Sequence, residues 1–127
     1  MPKWAWVSVL VGSVLALFVY LPTGAGQPAE EELWRHRHIG KALFETPTRI
    51  AEATTELKKA LDLAPNSFRD RLNYGLALLR AEDLKAAVTE LEKAQKQNPA
   101  LPHAWFNLGI AYKRLGGTRT PSASSSA

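Results

Sequence analysis

Trp105-Phe106-Asn107-Leu108-Gly109-Ile110-Ala111-Tyr112 is the stretch that decides the fold. Its Trp105, Leu108, Gly109 and Tyr112 are spaced by three, one and three residues, which on a helix gathers them on one face. The glycine marks the point where a neighbouring helix must come close. Thirty-four residues upstream the same positions hold Arg71, Tyr74, Gly75 and Leu78. Between the two copies lie Ala87, Leu91, Ala94 and Pro99, and one period earlier Ala53, Leu57, Ala60 and Pro65. Small, large, small, proline at a period of 34 is the pattern of stacked helix–turn–helix units.

Working outward, the pattern predicts an all-α domain over residues 29–116. Its first helix is expected from about Glu30 to Phe44, opening on acidic residues that suit the positive end of the helix dipole. Gly40 occupies the close-packing position but falls one residue early, which implies an insertion in Glu45-Thr46-Pro47-Thr48. Thr46 or Thr48 is expected to cap the next helix, with Pro47 where a missing N–H costs little. That helix reaches about Leu63, burying Ile50, Ala53, Leu57, Ala60 and Leu61. Ala64-Pro65-Asn66-Ser67 ends it, and Ser67 with Asp70 reads as a capping pair worth about 1 kcal/mol. Further helices are expected from Phe68 to Arg80, Leu84 to Gln97 and Pro102 to Leu115. The fourth turns Ala87, Val88, Leu91 and Ala94 inward and can pair Glu92 with Lys96 outside.

The flanks differ in kind. Trp4 to Leu21 is eighteen residues without a charge, preceded by Lys3 and ended by Pro22. A spanning helix needs about 20 apolar residues and a signal peptide only about 7–15, so residues 1–28 read as an anchor plus linker rather than a cleaved signal. Lys3 on one side and Glu30, Glu31 and Glu32 on the other favour an inside amino terminus and a body outside the cytoplasm. Cleavage would instead release a secreted, or periplasmic, body. Residues 117–127 are rich in Ser, Ala and Thr without apolar periodicity and are expected to be disordered. About two and a half units result, so Trp105, Leu108 and Tyr112 are expected to lack a packing partner.

Composition removes several classes of function. The chain has 127 residues, no cysteine, and 16 Lys plus Arg against 12 Asp plus Glu, a net charge of +4. The missing cysteines exclude disulfides and thiolate chemistry. The basic residues neither cluster nor interleave with aromatics, so a nucleic-acid partner is not expected. His36 and His38, two apart on a helix, face different ways and cannot share a metal. No catalytic motif or cofactor-binding loop is present, so no enzyme activity is expected.

These repeats resemble the tetratricopeptide repeat (TPR), whose signature W-x2-L-G-x2-Y, then Ala, a large apolar residue, Ala and Pro, is met in order. The resemblance implies a concave groove lined by the first helix of each pair. Carried onto this sequence, the lining residues are Arg69, Leu72, Leu76, Leu79 and Arg80, then His103, Phe106, Ile110, Lys113 and Arg114. Such a row suits an apolar, acidic-tipped peptide or an amphipathic helix, unless its apolar members simply pack between adjacent repeats. TPR domains that clamp acidic chaperone tails carry Lys and Asn where this chain has Leu72 and Leu76, so that activity is not implied. HRHIGKALFETPT, LDLAPNSFRDRLNYGLALLRA and NPALPHAWFNLGIAYKRLG also look like the opening repeats of exported bacterial TPR proteins that often end in an FG-GAP-type propeller. On that likeness the chain is a shortened scaffold, and self-association through Trp105, Leu108 and Tyr112 is the alternative to groove binding.

Overall fold

The structure is a computed structural model and describes residues 27–117. The described residues form α1 (Pro28–Phe44), a 3-10 turn (Pro47–Arg49), α2 (Ile50–Leu63), α3 (Phe68–Arg80), α4 (Leu84–Gln97) and α5 (Pro102–Gly117). None of them lies in a strand. Each helix packs on the next: α1 on α2, α2 on α3, α3 on α4, α4 on α5. This all-helical arrangement is that of a helix–turn–helix array. The expected membrane segment at residues 4–21 and residues 118–127 of the expected disordered tail lie outside the described residues; Gly117, placed in that tail, instead ends α5, two residues beyond the expected Leu115. Among those described, no helix is long and apolar enough to cross a membrane.

Local chemistry sets the boundaries. Ser67 Oγ accepts the Asp70 N–H at 3.2 Å, so the cap on α3 forms. Its other half does not. The Asp70 carboxylate turns away to Arg37, and the Ser67 N–H bonds the Ala64 carbonyl at 3.0 Å instead. Neither Thr46 nor Thr48 caps α2: the connection forms a 3-10 turn that Thr46 precedes and Thr48 belongs to, and this leaves Arg49 at the N-cap position. Arg49 precedes α2 and binds Glu52 in its first turn at 2.8 Å. The turn after α3 places Glu82 at φ 61°, with the Asp83 N–H on the Leu78 carbonyl at 3.0 Å. This is the left-handed helix stop in which glycine is usual.

One core cluster gathers Leu78, Leu79, Ala87, Leu91, Leu108 and Ala111, with Leu72, Leu76, Val88 and Ile110 against it. Leu108 therefore has a partner, contrary to expectation. At 3.6 residues per turn it lies on the edge of its stripe nearest α4, so α4 buries it. Trp105 and Tyr112 remain 54% and 47% exposed. The expected Glu92–Lys96 pair is replaced, since Glu92 accepts the Tyr112 hydroxyl. The unit at the amino end is closed by buried Leu43, Ala53, Leu57, Ala60 and Leu61, while Ile50 is only half-buried.

The glycines make the repeat physical. A Cβ on Gly40 would sit 2.8 Å from Leu57 Cγ, and one on Gly75 2.9 Å from Leu91 Cδ2. Seventeen residues separate the first pair and sixteen the second, so the insertion lies in the connection while the contact is preserved. A Cβ on Gly109 would meet nothing within 4 Å. Alanine gains about 1 kcal/mol of helix propensity over glycine, whereas forced overpacking costs about 1–3 kcal/mol. Gly40→Ala is thus expected to destabilise the protein by about 1 kcal/mol. Gly109→Ala is expected to stabilise it by about 0.5–1 kcal/mol. Urea unfolding of both variants, followed by circular dichroism, checks the opposite signs; shifts of the same sign would refute the assignment of these notches.

Candidate interaction groove

Three helices, α1, α3 and α5, share one side of the array, and polar ties cross between them. Arg37 of α1 reaches Asp70 of α3 through Nε–Oδ1 at 2.8 Å and Nη2–Oδ2 at 2.5 Å. Arg80 of α3 donates to the Phe44 carbonyl at 2.7 Å, with its guanidinium 4.8 Å from the Phe44 ring centroid. Arg114 of α5 meets the Glu82 carboxylate at 3.0 Å. These ties hold the inner helices apart at fixed distance and leave two clefts between them.

The first cleft, about 460 Å³, is lined from α1 by Trp34, Arg37, His38, Lys41 and Phe44, and from α3 by Arg69, Asp70, Asn73 and Leu76. Leu57 of α2 contributes to it as well. The second, about 330 Å³, lies between α3 and α5 and is lined by Leu76, Leu79, Arg80, Asn107, Ile110 and Arg114, with Phe44 at its edge. Phe44 and Leu76 belong to both. The apolar floor is therefore continuous across the three helices.

Side-chain chemistry along it is aromatic and cationic. Trp34 stacks on His38 with ring centroids 5.5 Å apart, and the Arg37 guanidinium lies 5.7 Å from the Trp34 ring. Hydrogen bonding to Asp70 raises the Arg37 pKa, opposed by its partial burial. The cation is thereby committed to a carboxylate that is 1% exposed. Lys41 and Arg69 form no ion pair with another described residue, and both are exposed. Between α1 and α2, His36 Nδ1 lies 2.5 Å from Glu56 Oε2. Hydrogen bonds from Lys59 first and His36 second lower the Glu56 pKa. Among the described residues, no group of three or more His, Asp or Glu is arranged to hold a metal ion.

The residues read from the sequence separate into three sets. Arg69, Leu76, Arg80, Ile110 and Arg114 line the clefts. Leu79 is buried and reaches the second cleft from the core, whereas Leu72 is half-buried against that core and lines neither. His103, Phe106 and Lys113 are exposed on α5 without joining a cleft, Phe106 at 70%. Of the repeat-signature residues, Gly75, Ala87, Ala94 and Leu108 are buried and Gly109 is open. The Pro99 carbonyl accepts the Trp105 Nε1–H at 3.0 Å.

The α1 wall escaped the sequence reading. A signal for it existed, because the Gly40–Gly75 spacing is 35 residues rather than 34. Counting 35 back from Arg69, Leu72, Leu76, Leu79 and Arg80 gives Trp34, Arg37, Lys41, Phe44 and Glu45. All five line the first cleft.

With this geometry in place, comparison with known families matches the model of the TPR repeat to residues 75–116, from the middle of α3 to the last turn of α5. The match supports a TPR protein, and TPR repeats are typically non-catalytic modules for binding other proteins. No curated protein matches the chain.

Proposed function

We propose that this chain is a non-catalytic protein-interaction module that takes a peptide segment, extended or helical, along the face formed by α1, α3 and α5. One observation carries the reading: Phe44 and Leu76 join the two clefts into a single apolar floor. Burial of ligand side chains on that floor supplies the gross driving force, about 25 cal/mol per Å² of apolar area, from which the cost of ordering the peptide is subtracted. Lys41 and Arg69 at the rim favour acidic groups on the ligand and mainly speed its encounter. The apolar run Trp4 to Leu21, with Lys3 before it and Glu30 to Glu32 after it, supports a body held outside the cytoplasm by a membrane anchor.

Peptides selected from a displayed library on the full chain in mild detergent test the groove. Their affinities are then compared between the natural protein and Leu76→Asp, with helicity checked alongside. A loss of about tenfold or more is expected, equivalent to one poorly buried apolar side chain. Because Leu76 also touches the core, Lys41→Glu serves as the variant that leaves packing intact, and it weakens acidic peptides selectively. Selected peptides whose binding is unchanged in both variants would reject the groove.

A further inference from the structure

The exposed face of α5 lies outside the groove, and the two preceding hairpins define what fits it. Each hairpin seats a leucine of its second helix in a glycine notch of its first, Leu57 on Gly40 and Leu91 on Gly75. Alanines flank each leucine at fixed offsets, Ala53 and Ala60, then Ala87 and Ala94, all fully buried. On α5 the third notch, Gly109, is open. Tyr112 stands exposed where its counterpart Leu78 is buried.

A second correspondence fixes the chemistry of the missing helix. Four residues ahead of each filled notch stands a cationic or ionisable side chain, His36 or Arg71. Each meets the glutamate just ahead of the seated leucine: His36 lies 2.5 Å from Glu56, and Arg71 lies 2.7 Å from Glu90. The third position is Trp105, whose Nε1–H is already given to the Pro99 carbonyl. A carboxylate brought there would be buried against an indole without a partner, so the residue ahead of the leucine must be apolar.

At the register of the repeat, residues 118–127 do not carry this ridge. The offsets that lead from Gly75 to Ala87 and Leu91 lead from Gly109 to Pro121 and Ser125. Nor does a second copy, since the two ridges of this shape among the described residues are buried in their own hairpins. We propose that α5 receives an amphipathic helix from a partner protein, reading Ala-x3-Leu-x2-Ala with an apolar residue ahead of the leucine, seated on Gly109 as α4 is seated on α3. The interface would continue the one α5 already makes with α4.

The probe is a synthetic peptide of residues 82–98 carrying Glu90→Leu, titrated into the full chain in mild detergent by fluorescence anisotropy. Saturable binding is expected. It weakens about tenfold or more when the peptide carries Leu91→Ala, or when the protein carries Gly109→Leu, which fills the notch. Gly109 faces open space, so the variant keeps its helicity. Restoring Glu90 in the peptide weakens binding, and Lys41→Glu in the groove leaves it unchanged, which separates this face from the groove reading. Three outcomes would each overturn the proposal: no binding at millimolar peptide, binding indifferent to Gly109→Leu, or a symmetric dimer of the chain that occupies this face.

Discussion

Leu91→Ala is expected to lower the free energy of unfolding by about 3–4 kcal/mol. Leu91 is 0% exposed and is the largest fully buried apolar side chain among the described residues. It fills the Gly75 notch and belongs to the cluster that joins α3, α4 and α5 through Leu78, Ala87 and Leu108. Truncation removes its transfer free energy and leaves a cavity that helices held on both sides cannot collapse into. In a domain whose whole stability is about 5–15 kcal/mol, such a loss is a large fraction of the total. Urea unfolding monitored by circular dichroism measures it, and a change below about 1 kcal/mol would contradict the described packing. A double-mutant cycle sharpens the test. Gly75→Ala, awkward beside Leu91, becomes favourable once that side chain is shortened, giving a coupling of about 1 kcal/mol between the two sites.

The second large effect comes from the Arg37–Asp70 pair, and it is asymmetric. Asp70 is 1% exposed, while Arg37 is 28% exposed. Arg37→Met strands a carboxylate in the interior, at a cost of about 3 kcal/mol, the lower end of what breaking a buried pair demands. Asp70→Leu leaves a guanidinium that swings into water, so its cost is smaller, about 1–2 kcal/mol. Changing both residues together recovers most of the loss, because well-packed apolar groups replace a buried ion pair at little net cost. Denaturation of the two single variants and the double variant decides the matter. Equal losses in the single variants would show that the pair acts through contact area and not through a buried charge.

The contrast between these two sites shows what a sequence of this kind displays. Leu91 is visible because it repeats: Leu57 holds the same place one period earlier, and the flanking alanines match. The bounds of α3 and α4 agree with expectation to the residue, since Ser67 and the Pro65 and Pro99 turns mark them chemically. Asp70 is invisible for the opposite reason. Its counterpart one period on is Ala104, so nothing periodic announces a buried acid, and three residues after Ser67 it imitates a capping carboxylate. Its true partner, 33 residues away, has no spacing rule to connect it. Half of the groove was legible for the same kind of reason. The α3 and α5 walls share one register, but a single extra residue ahead of α2 displaces the α1 wall from it.

Packing each helix mainly on its successor, with ties reaching no further than the next helix but one, has a kinetic side. The longest polar tie among the described residues, Arg80 to Phe44, closes 36 residues, about one repeat. Among the described residues no such tie waits for distant ends of the chain to find each other, so the loop-closure entropy met during folding stays small. Chains of this connectivity fall at the fast end of the range for small proteins. Either hairpin can nucleate on its own notch and leucine, and the neighbouring helix then adds to a surface already formed. Assembly runs along the array like a zipper, and a helix arriving at the open end of α5 would be its next tooth.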